Sequence, residues 1–115
     1  MSTLRNKVNL IGRLGITPEI RENNGHISTR FSLATNEPYR NKQGEWIDNT
    51  QWHNIIIWGV MAERFVRSAE KGMEVAIEGK LVHKQYLSKT GEKRYSTDVE
   101  VNDFFLLNMK KKNNL

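Results

Sequence analysis

The chain has 115 residues, enough for one domain with its own hydrophobic core and too few for two. It contains no cysteine, which excludes disulfides, iron–sulfur clusters, thiolate zinc sites and cysteine nucleophiles. The formal net charge is +5, of which Lys110, Lys111 and Lys112 contribute three charges, so the composition favours a polyanionic partner only weakly.

The first half of the chain alternates between strand patterns and turn signals. From Asn6 to Leu14 and from His26 to Ala34, apolar side chains recur at every second residue, which predicts two half-buried strands. Asn23-Asn24-Gly25 is a strong hairpin signal. A long polar loop is expected from Asn36 to Asp48. Thr50 to Trp58, the most β-prone segment, is predicted to be the third strand.

One helix is predicted after the third strand, because a single apolar stripe is formed by Met61, Ala62, Phe65, Val66 and Ala69. Gly72 is predicted to end it. Strand periodicity returns from Val75 to Leu87, with a bend expected at Gly79, and again from Tyr95 to Val101, with a short extra strand at Phe104 to Leu107. This order predicts an all-β OB-fold, a five-stranded Greek-key barrel with one α-helix between strands 3 and 4.

The aromatic residues are the most informative feature of the sequence. Trp52 and Trp58 share one face of the third predicted strand, while Ile55 and Ile57 share the other. If the isoleucines fill the barrel, the tryptophans face solvent, where large aromatic side chains are costly unless a ligand such as a nucleobase stacks on them. Parity alone leaves the reverse open, with the tryptophans in the core and the isoleucines against a partner subunit.

Further aromatic and basic residues lie near these strands in the sequence. Tyr39 and Trp46 fall in the long polar loop, and Tyr86 falls near the tip of the fourth predicted strand. Basic residues are interleaved with them: Arg5, Lys7, Arg13, Arg40, Lys42, Lys84, Lys89, Lys93 and Arg94. Each alone is explained as a solvated surface residue, but as a set they favour a groove that follows a phosphate backbone.

Signals of catalysis and of metal binding are poor. The sequence has no GxSxG, HExxH, Walker or GxGxxG pattern. Gly12 to Gly15 matches the GXXG of a KH loop only formally, because it ends a strand instead of joining two helices. The three histidines, His26, His53 and His83, are far apart in the sequence, and each falls within a predicted strand. Such isolated histidines are more often core or interface residues than metal ligands. We therefore expect no enzyme, no cofactor and no metal.

Several short motifs follow one another along the chain. Asn6 to Gly15 is followed by Pro18-Glu19, and Phe31 to Thr35 lies in the second predicted strand. The later motifs are Gln51-Trp52-His53, Trp58-Gly59, Ala62-Glu63, Lys71-Gly72 and Val75 to Leu81. Their order and spacing resemble those of the bacterial single-stranded DNA-binding proteins (SSB), over nearly the whole chain.

The resemblance implies an OB-fold domain at residues 1–108 that forms a homotetramer and binds single-stranded DNA without sequence preference, protecting it in replication, recombination and repair. The family's base-stacking positions fall on Tyr39, Trp52, Trp58 and Tyr86. Its phosphate-binding positions match Lys7, Lys71, Lys84 and Arg94, to which the interleaved basic residues add Arg5 and Arg13. His53 falls where the family has a subunit-interface histidine. The resemblance thus favours exposed tryptophans.

The sequence departs from the family pattern at several positions. Tyr39 and Tyr86 stand where many members have tryptophan, so these stacking surfaces are smaller. Asn54, Val60 and Val82 replace residues that are often basic, which lowers the expected number of phosphate contacts.

The C-terminus also departs from the family, because residues 109–115 are short and basic where members usually continue into a linker and an acidic tip. We expect this segment to be disordered, in either a natural short form or a truncated chain, without recruitment of replication and repair partners through a tail. Ile55 to Ala62, the longest apolar stretch, is too short to cross a bilayer, and the N-terminus lacks the apolar run of a signal peptide. A cytoplasmic, nucleoid-associated protein with no membrane partner is expected.

Three other functions share features with this pattern. A primosomal or RNA-preferring OB module would have the same fold, and RNA selection would require a contact to the 2′-OH. An oligosaccharide-binding OB domain would also use exposed aromatics, but its binding would not depend on salt. A purely structural assembly protein would bury the tryptophans between subunits.

Overall fold

Residues 4–107 are described by a computed structural model, and within this range the chain forms eight β-strands and one α-helix. The elements are β1 (Val8–Leu14), β2 (Arg21–Asn23), β3 (His26–Asn36), β4 (Tyr39–Arg40), β5 (Trp46–Ile47), β6 (Thr50–Trp58), α1 (Gly59–Ser68), β7 (Glu74–Leu87) and β8 (Lys93–Leu106). The basic C-terminus expected at residues 109–115 lies outside the described residues.

Five of these strands close into a barrel. β1 pairs with β7, β7 with β8, β8 with β6, and β6 with β3, while the end of β1 pairs with β3 and completes the circuit. All of these pairings are antiparallel except β6 with β8, which is parallel. The helix α1 connects β6 to β7, the third and fourth barrel strands. The architecture is the predicted OB-fold.

Alternate residues of the strands fill the barrel, and α1 contributes Phe65, the largest fully buried side chain among the described residues. Ile55 and Ile57 are 1% and 0% exposed and belong to the core cluster. Phe65 of α1 stacks on Phe31 with ring centroids 4.8 Å apart, and it meets Phe104 edge to face at 4.9 Å. The isoleucine face of β6 is therefore the inner face of the barrel.

Two local predictions are confirmed by the backbone. Asn24 and Gly25 have φ of 53° and 81°, as a two-residue type I′ turn between β2 and β3 requires. At Gly79, the pairing of β7 with β8 shifts register. A Cβ on this glycine would lie 2.2 Å from the carbonyl oxygen of Glu100, so only glycine lets the two strands approach each other there.

The end of the helix differs from the prediction. The helix α1 ends at Ser68, and Ala69 is already extended although its N–H still donates to the carbonyl of Phe65 at 2.9 Å. Gly72, with φ of 87°, instead forms the turn into β7, and its N–H donates to the carbonyl of Leu14. The helix therefore ends one residue before Ala69, the last residue of the apolar stripe, and Gly72 belongs to the turn that follows and does not end the helix.

Two strand predictions also need correction. The segment from Asn36 to Asp48 is not a loop throughout, because β4 and β5 pair within it as a small hairpin. Phe104 to Leu107 is not a separate strand either, since residues 104–106 continue β8 without a break.

Candidate nucleic-acid interface

Trp52 and Trp58 lie on the outer face of β6. They are 60% and 42% exposed, whereas Ile55 and Ile57 behind them are buried in the barrel. Ile56 shares the outer face with the tryptophans and yet is only 1% exposed, so neighbouring side chains cover it. On the outer face of β6, therefore, Trp52 and Trp58 are exposed on either side of Ile56, which neighbouring side chains cover.

Each tryptophan is held by contacts with neighbouring elements. The ring of Trp52 lies against Gly15, where an added Cβ would be 2.7 Å from Cζ3 of the indole. The indole N–H of Trp58 donates to a carboxylate oxygen of Glu100 at 3.2 Å, and the other oxygen of this carboxylate lies 3.7 Å from Nζ of Lys80. Both indoles are thus exposed but locally oriented, which reduces the entropy that a stacked ligand must offset.

Two hollows flank β6 on this outer face. The Trp58 hollow lies between Trp58, Ile56 and the turn that joins β2 to β3. The Tyr86 hollow lies between Asn54 of β6 and Tyr86 and Lys84 of β7. The structure thus places Trp58, Tyr86 and Lys84, three of the predicted site residues, beside one continuous sheet face.

Tyr86 is 53% exposed and lies opposite Arg94 in the pairing of β7 with β8. Arg94 has an acidic neighbour, since its guanidinium lies 3.3 Å from a carboxylate oxygen of Glu92. This exposed ion pair is weak, because solvent screens both charges. The ion pair therefore leaves the guanidinium of Arg94 exposed to solvent on the strand beside Tyr86.

Tyr39 lies apart from these strands, in the hairpin of β4 and β5. It is 52% exposed and pairs with Ile47, so it faces the side of the hairpin opposite to Arg40 and Trp46. Trp46 is 67% exposed and lies 5.6 Å from the Arg40 guanidinium, in a cation–π contact. Both faces of the hairpin thus present an aromatic side chain to solvent.

The other predicted basic residues do not line the two hollows. Arg13 donates to the carbonyl of Gly72 at 3.0 Å, which brings it close to Lys71 at the turn between α1 and β7. Arg5 and Lys7 are exposed in the segment that precedes β1. We call the outer face of β6 with Trp52, Trp58 and the adjacent Tyr86 the aromatic face. Of the residues predicted to bind phosphate, Lys84 therefore lies most directly beside it.

Two arginines of this face, Arg21 and Arg30, line both hollows although they were not among the predicted site residues. Arg30 also forms an ion pair with Asp98 at 3.2 Å. The alternation along β3 puts Arg30 on the outer face, but nothing local to the sequence indicates that it lies beside Ile56 and Asp98.

His53 extends from the inner face of β6, where Nε2 and Oγ1 of Thr35 share a hydrogen bond of 2.9 Å. His83 makes a similar bond to Thr97 at 2.9 Å. Across residues 4–107, no group of three or more His, Cys, Asp or Glu side chains could hold a metal ion. In the same range no helix is long and apolar enough to cross a membrane.

Comparison with known proteins agrees with this geometry. Residues 5–107 match the Single-strand binding protein family, so the chain belongs to this family. Its members are non-enzymatic DNA-binding proteins, in line with the expectation from the motif search.

Two curated relatives are similar over most of the chain. "Single-stranded DNA-binding protein 1" of Chlorobaculum tepidum is 39% identical over 107 residues, covering 91% of this chain and 66% of that protein. "Single-stranded DNA-binding protein" of Neisseria meningitidis is 37% identical over 109 residues, covering 94% of this chain and 63% of that protein. The chain thus spans just under two thirds of the length of these relatives.

A solved structure from Plasmodium falciparum, described as an SSB complex with ssDNA, superposes on this fold with a TM-score of 0.82. It is 28% identical in sequence, and the match covers 94% of this chain and 99% of that one. The similarity therefore extends over the whole barrel and is not confined to a few motifs.

Proposed function

We propose that the protein binds and protects single-stranded DNA without sequence preference, in replication, recombination and repair. The observation that carries the proposal is the set of exposed aromatic rings at Trp52, Trp58 and Tyr86, which border one sheet face together with Lys84. The names of the two relatives and the ssDNA complex of the structural neighbour point to the same ligand.

Base stacking supplies the sequence-independent part of the affinity. Every nucleobase has a π-face, and one base stacked on an aromatic side chain contributes about 1–3 kcal/mol. Tyr39 on its separate hairpin is the fourth proposed platform, so a bound strand would extend beyond the barrel face. Duplex DNA keeps its base faces within the helix and should bind poorly.

Phosphate neutralisation supplies the remaining affinity. The proposed contacts are Arg5, Lys7, Arg13, Lys71, Lys84 and Arg94. Because bound phosphates release their counterions, the logarithm of the binding constant should fall with the logarithm of salt concentration by about 0.7 per phosphate contact. This dependence on salt separates DNA binding from binding of an uncharged oligosaccharide.

A homotetramer is part of the proposal. The face of the barrel formed by β1, β7 and β8 exposes Ile11 by 59% and Phe105 by 71%, beside Ala76. In addition, β1 pairs with β3 only at Arg13 and Leu14. Among the described residues, most of the edge of β1 on that side is therefore left without a partner strand. Contacts between subunits would cover both features, and His53 is proposed to lie at such a contact.

The place of action follows from the ligand. Single-stranded DNA is exposed during replication and repair, so we place the protein in the cytoplasm, with the nucleoid.

Tryptophan fluorescence during titration with oligo-dT tests the function. The titration is run at low and high salt, with a DNA duplex and a matched RNA oligomer as controls. Strong quenching by oligo-dT that high salt reverses, with little quenching by duplex, is expected because a base stacks on Trp52 or Trp58. Absence of quenching at low salt would contradict the proposal, and equal or tighter binding of RNA would favour an RNA-binding OB module.

A further inference from the structure

Arg30 stands where the two hollows of the aromatic face meet. Among the described residues, the Trp58 hollow and the Tyr86 hollow have two lining residues in common, Arg21 and Arg30. A DNA strand whose bases stack on both Trp58 and Tyr86 must therefore pass over these arginines.

Arg30 is anchored by a buried carboxylate on a strand that is not its neighbour. In the sheet, β6 separates β3 from β8, so the two side chains together span about 9.5 Å, twice the spacing between strands. Arg30 pairs in register with Ile56, and Asp98 pairs with Asn54. The arginine side chain therefore crosses β6 beside Ile56, which helps to explain why this outer isoleucine is only 1% exposed.

The two partners of this ion pair differ sharply in exposure. The side chain of Asp98 is 3% exposed and that of Arg30 is 49% exposed, with one nitrogen of the guanidinium 3.2 Å from the carboxylate. A buried carboxylate without its cation is strongly unfavourable, so Asp98 holds Arg30 in place. A guanidinium has five N–H donors, and the half-exposed group can offer those not used by Asp98 to a further acceptor.

We propose that Arg30 binds the DNA backbone phosphate between the bases stacked at Trp58 and Tyr86, and that Asp98 is a positioning residue that orients it. This inference rests on the proposed function. A planar guanidinium suits the task because it can bind one phosphate through two parallel N–H bonds. Pairing with Arg30 also neutralises a carboxylate that would otherwise repel DNA at the centre of the face.

The test is the double variant Arg30→Gln with Asp98→Asn. It removes both charges together, so the net charge of the protein is unchanged, and neither partner is left as a buried unpaired ion. The matched control is Arg67→Gln with Glu70→Gln, which removes one charge of each sign from exposed positions at the end of α1. Binding of a labelled oligo-dT is followed by fluorescence anisotropy over a series of salt concentrations, and folding is checked by urea denaturation.

The double variant should bind about tenfold more weakly, the effect of one lost charged hydrogen bond. Its log–log salt slope should be shallower by about 0.7, while the control keeps the affinity and slope of the wild type. Wild-type binding by the folded double variant would overturn the role of Arg30, as would weaker binding with an unchanged slope, since that contact would not be to phosphate. A wild-type protein that fails to bind oligo-dT would overturn the proposed function itself.

Arg30→Lys provides the test if the double variant does not fold. Lysine keeps the charge and the ion pair with Asp98 but lacks the planar fork, so several-fold weaker binding is expected. Wild-type affinity in this variant would overturn the proposed phosphate geometry.

The positioning role of Asp98 has its own readout. Asp98→Asn raises the net charge by one and preserves the shape of the side chain. If the carboxylate only repelled DNA, this variant would bind more tightly. If the carboxylate orients Arg30, binding becomes several-fold weaker despite the added positive charge. Tighter or unchanged binding would therefore overturn the positioning role.

Discussion

Replacement of Trp52 by alanine separates the contribution of this residue to stability from its contribution to binding. Trp52 is 60% exposed, so folding buries about 100 Å² of a side chain that offers at most about 250 Å². At about 25 cal/mol per Å², the loss in the free energy of unfolding is at most about 2.5 kcal/mol, because the unfolded chain already shields part of this area. The variant should therefore fold, with a lower urea midpoint.

The expected loss in DNA affinity is of similar size but has a different cause. If one base stacks on the indole, Trp52→Ala removes about 1–3 kcal/mol of binding free energy, roughly 5- to 150-fold in Kd. The charge of the protein is unchanged, so the slope of log Kd against log salt should remain that of the wild type. Weaker binding with a constant slope indicates the loss of an uncharged contact, as stacking is, and not the loss of a phosphate contact.

The assay is fluorescence anisotropy of an end-labelled oligo-dT, which does not depend on the tryptophan that is removed. Trp52→Phe is the matched variant, since it keeps a smaller aromatic ring on the same strand and should lose less affinity than Trp52→Ala. Wild-type affinity in a folded Trp52→Ala protein would refute the assignment of Trp52 as a stacking platform. Equal losses in the two variants would show that something other than an aromatic face matters there.

Three further predictions follow from the packing. Gly79→Ala should lower the free energy of unfolding by about 3 kcal/mol, because its Cβ would meet the carbonyl of Glu100, and an unchanged urea midpoint would contradict the bulge. Gly15→Ala places a Cβ 2.6 Å from Oγ of Ser32 and 2.7 Å from the ring of Trp52, so both side chains must shift; we expect weaker oligo-dT binding by anisotropy together with a lower urea midpoint, and wild-type affinity would show that the ring position is unimportant. Phe105→Glu places a charge on the proposed subunit face, so sedimentation should show smaller assemblies of folded protein, and an intact tetramer would exclude this face from the interface.

Local patterns in the sequence were sufficient for the five barrel strands and the helix, although not for all of their ends or for the short hairpin of β4 and β5. Alternation of apolar residues predicts strands because successive side chains point to opposite faces, and this geometry needs no distant partner. Asn24-Gly25 predicts the turn between β2 and β3 for a similar reason, since both residues tolerate positive φ. The family resemblance then named the aromatic residues that the structure shows to be exposed.

Tertiary structure decided what the local patterns left open. The alternation of residues along β6 does not show which face of the strand is the inner one. Closure of the barrel decides this, because it buries Ile55 and Ile57. The pairing of Arg30 with Asp98 joins residues 68 positions apart and depends on the register of β3, β6 and β8. The alternation of side chains is fixed by the backbone of one strand, whereas register depends on contacts among several strands. The sequence by itself therefore determined the barrel strands, the turn and the identity of the exposed aromatic residues, whereas the assembled barrel alone placed Arg30 between the two hollows.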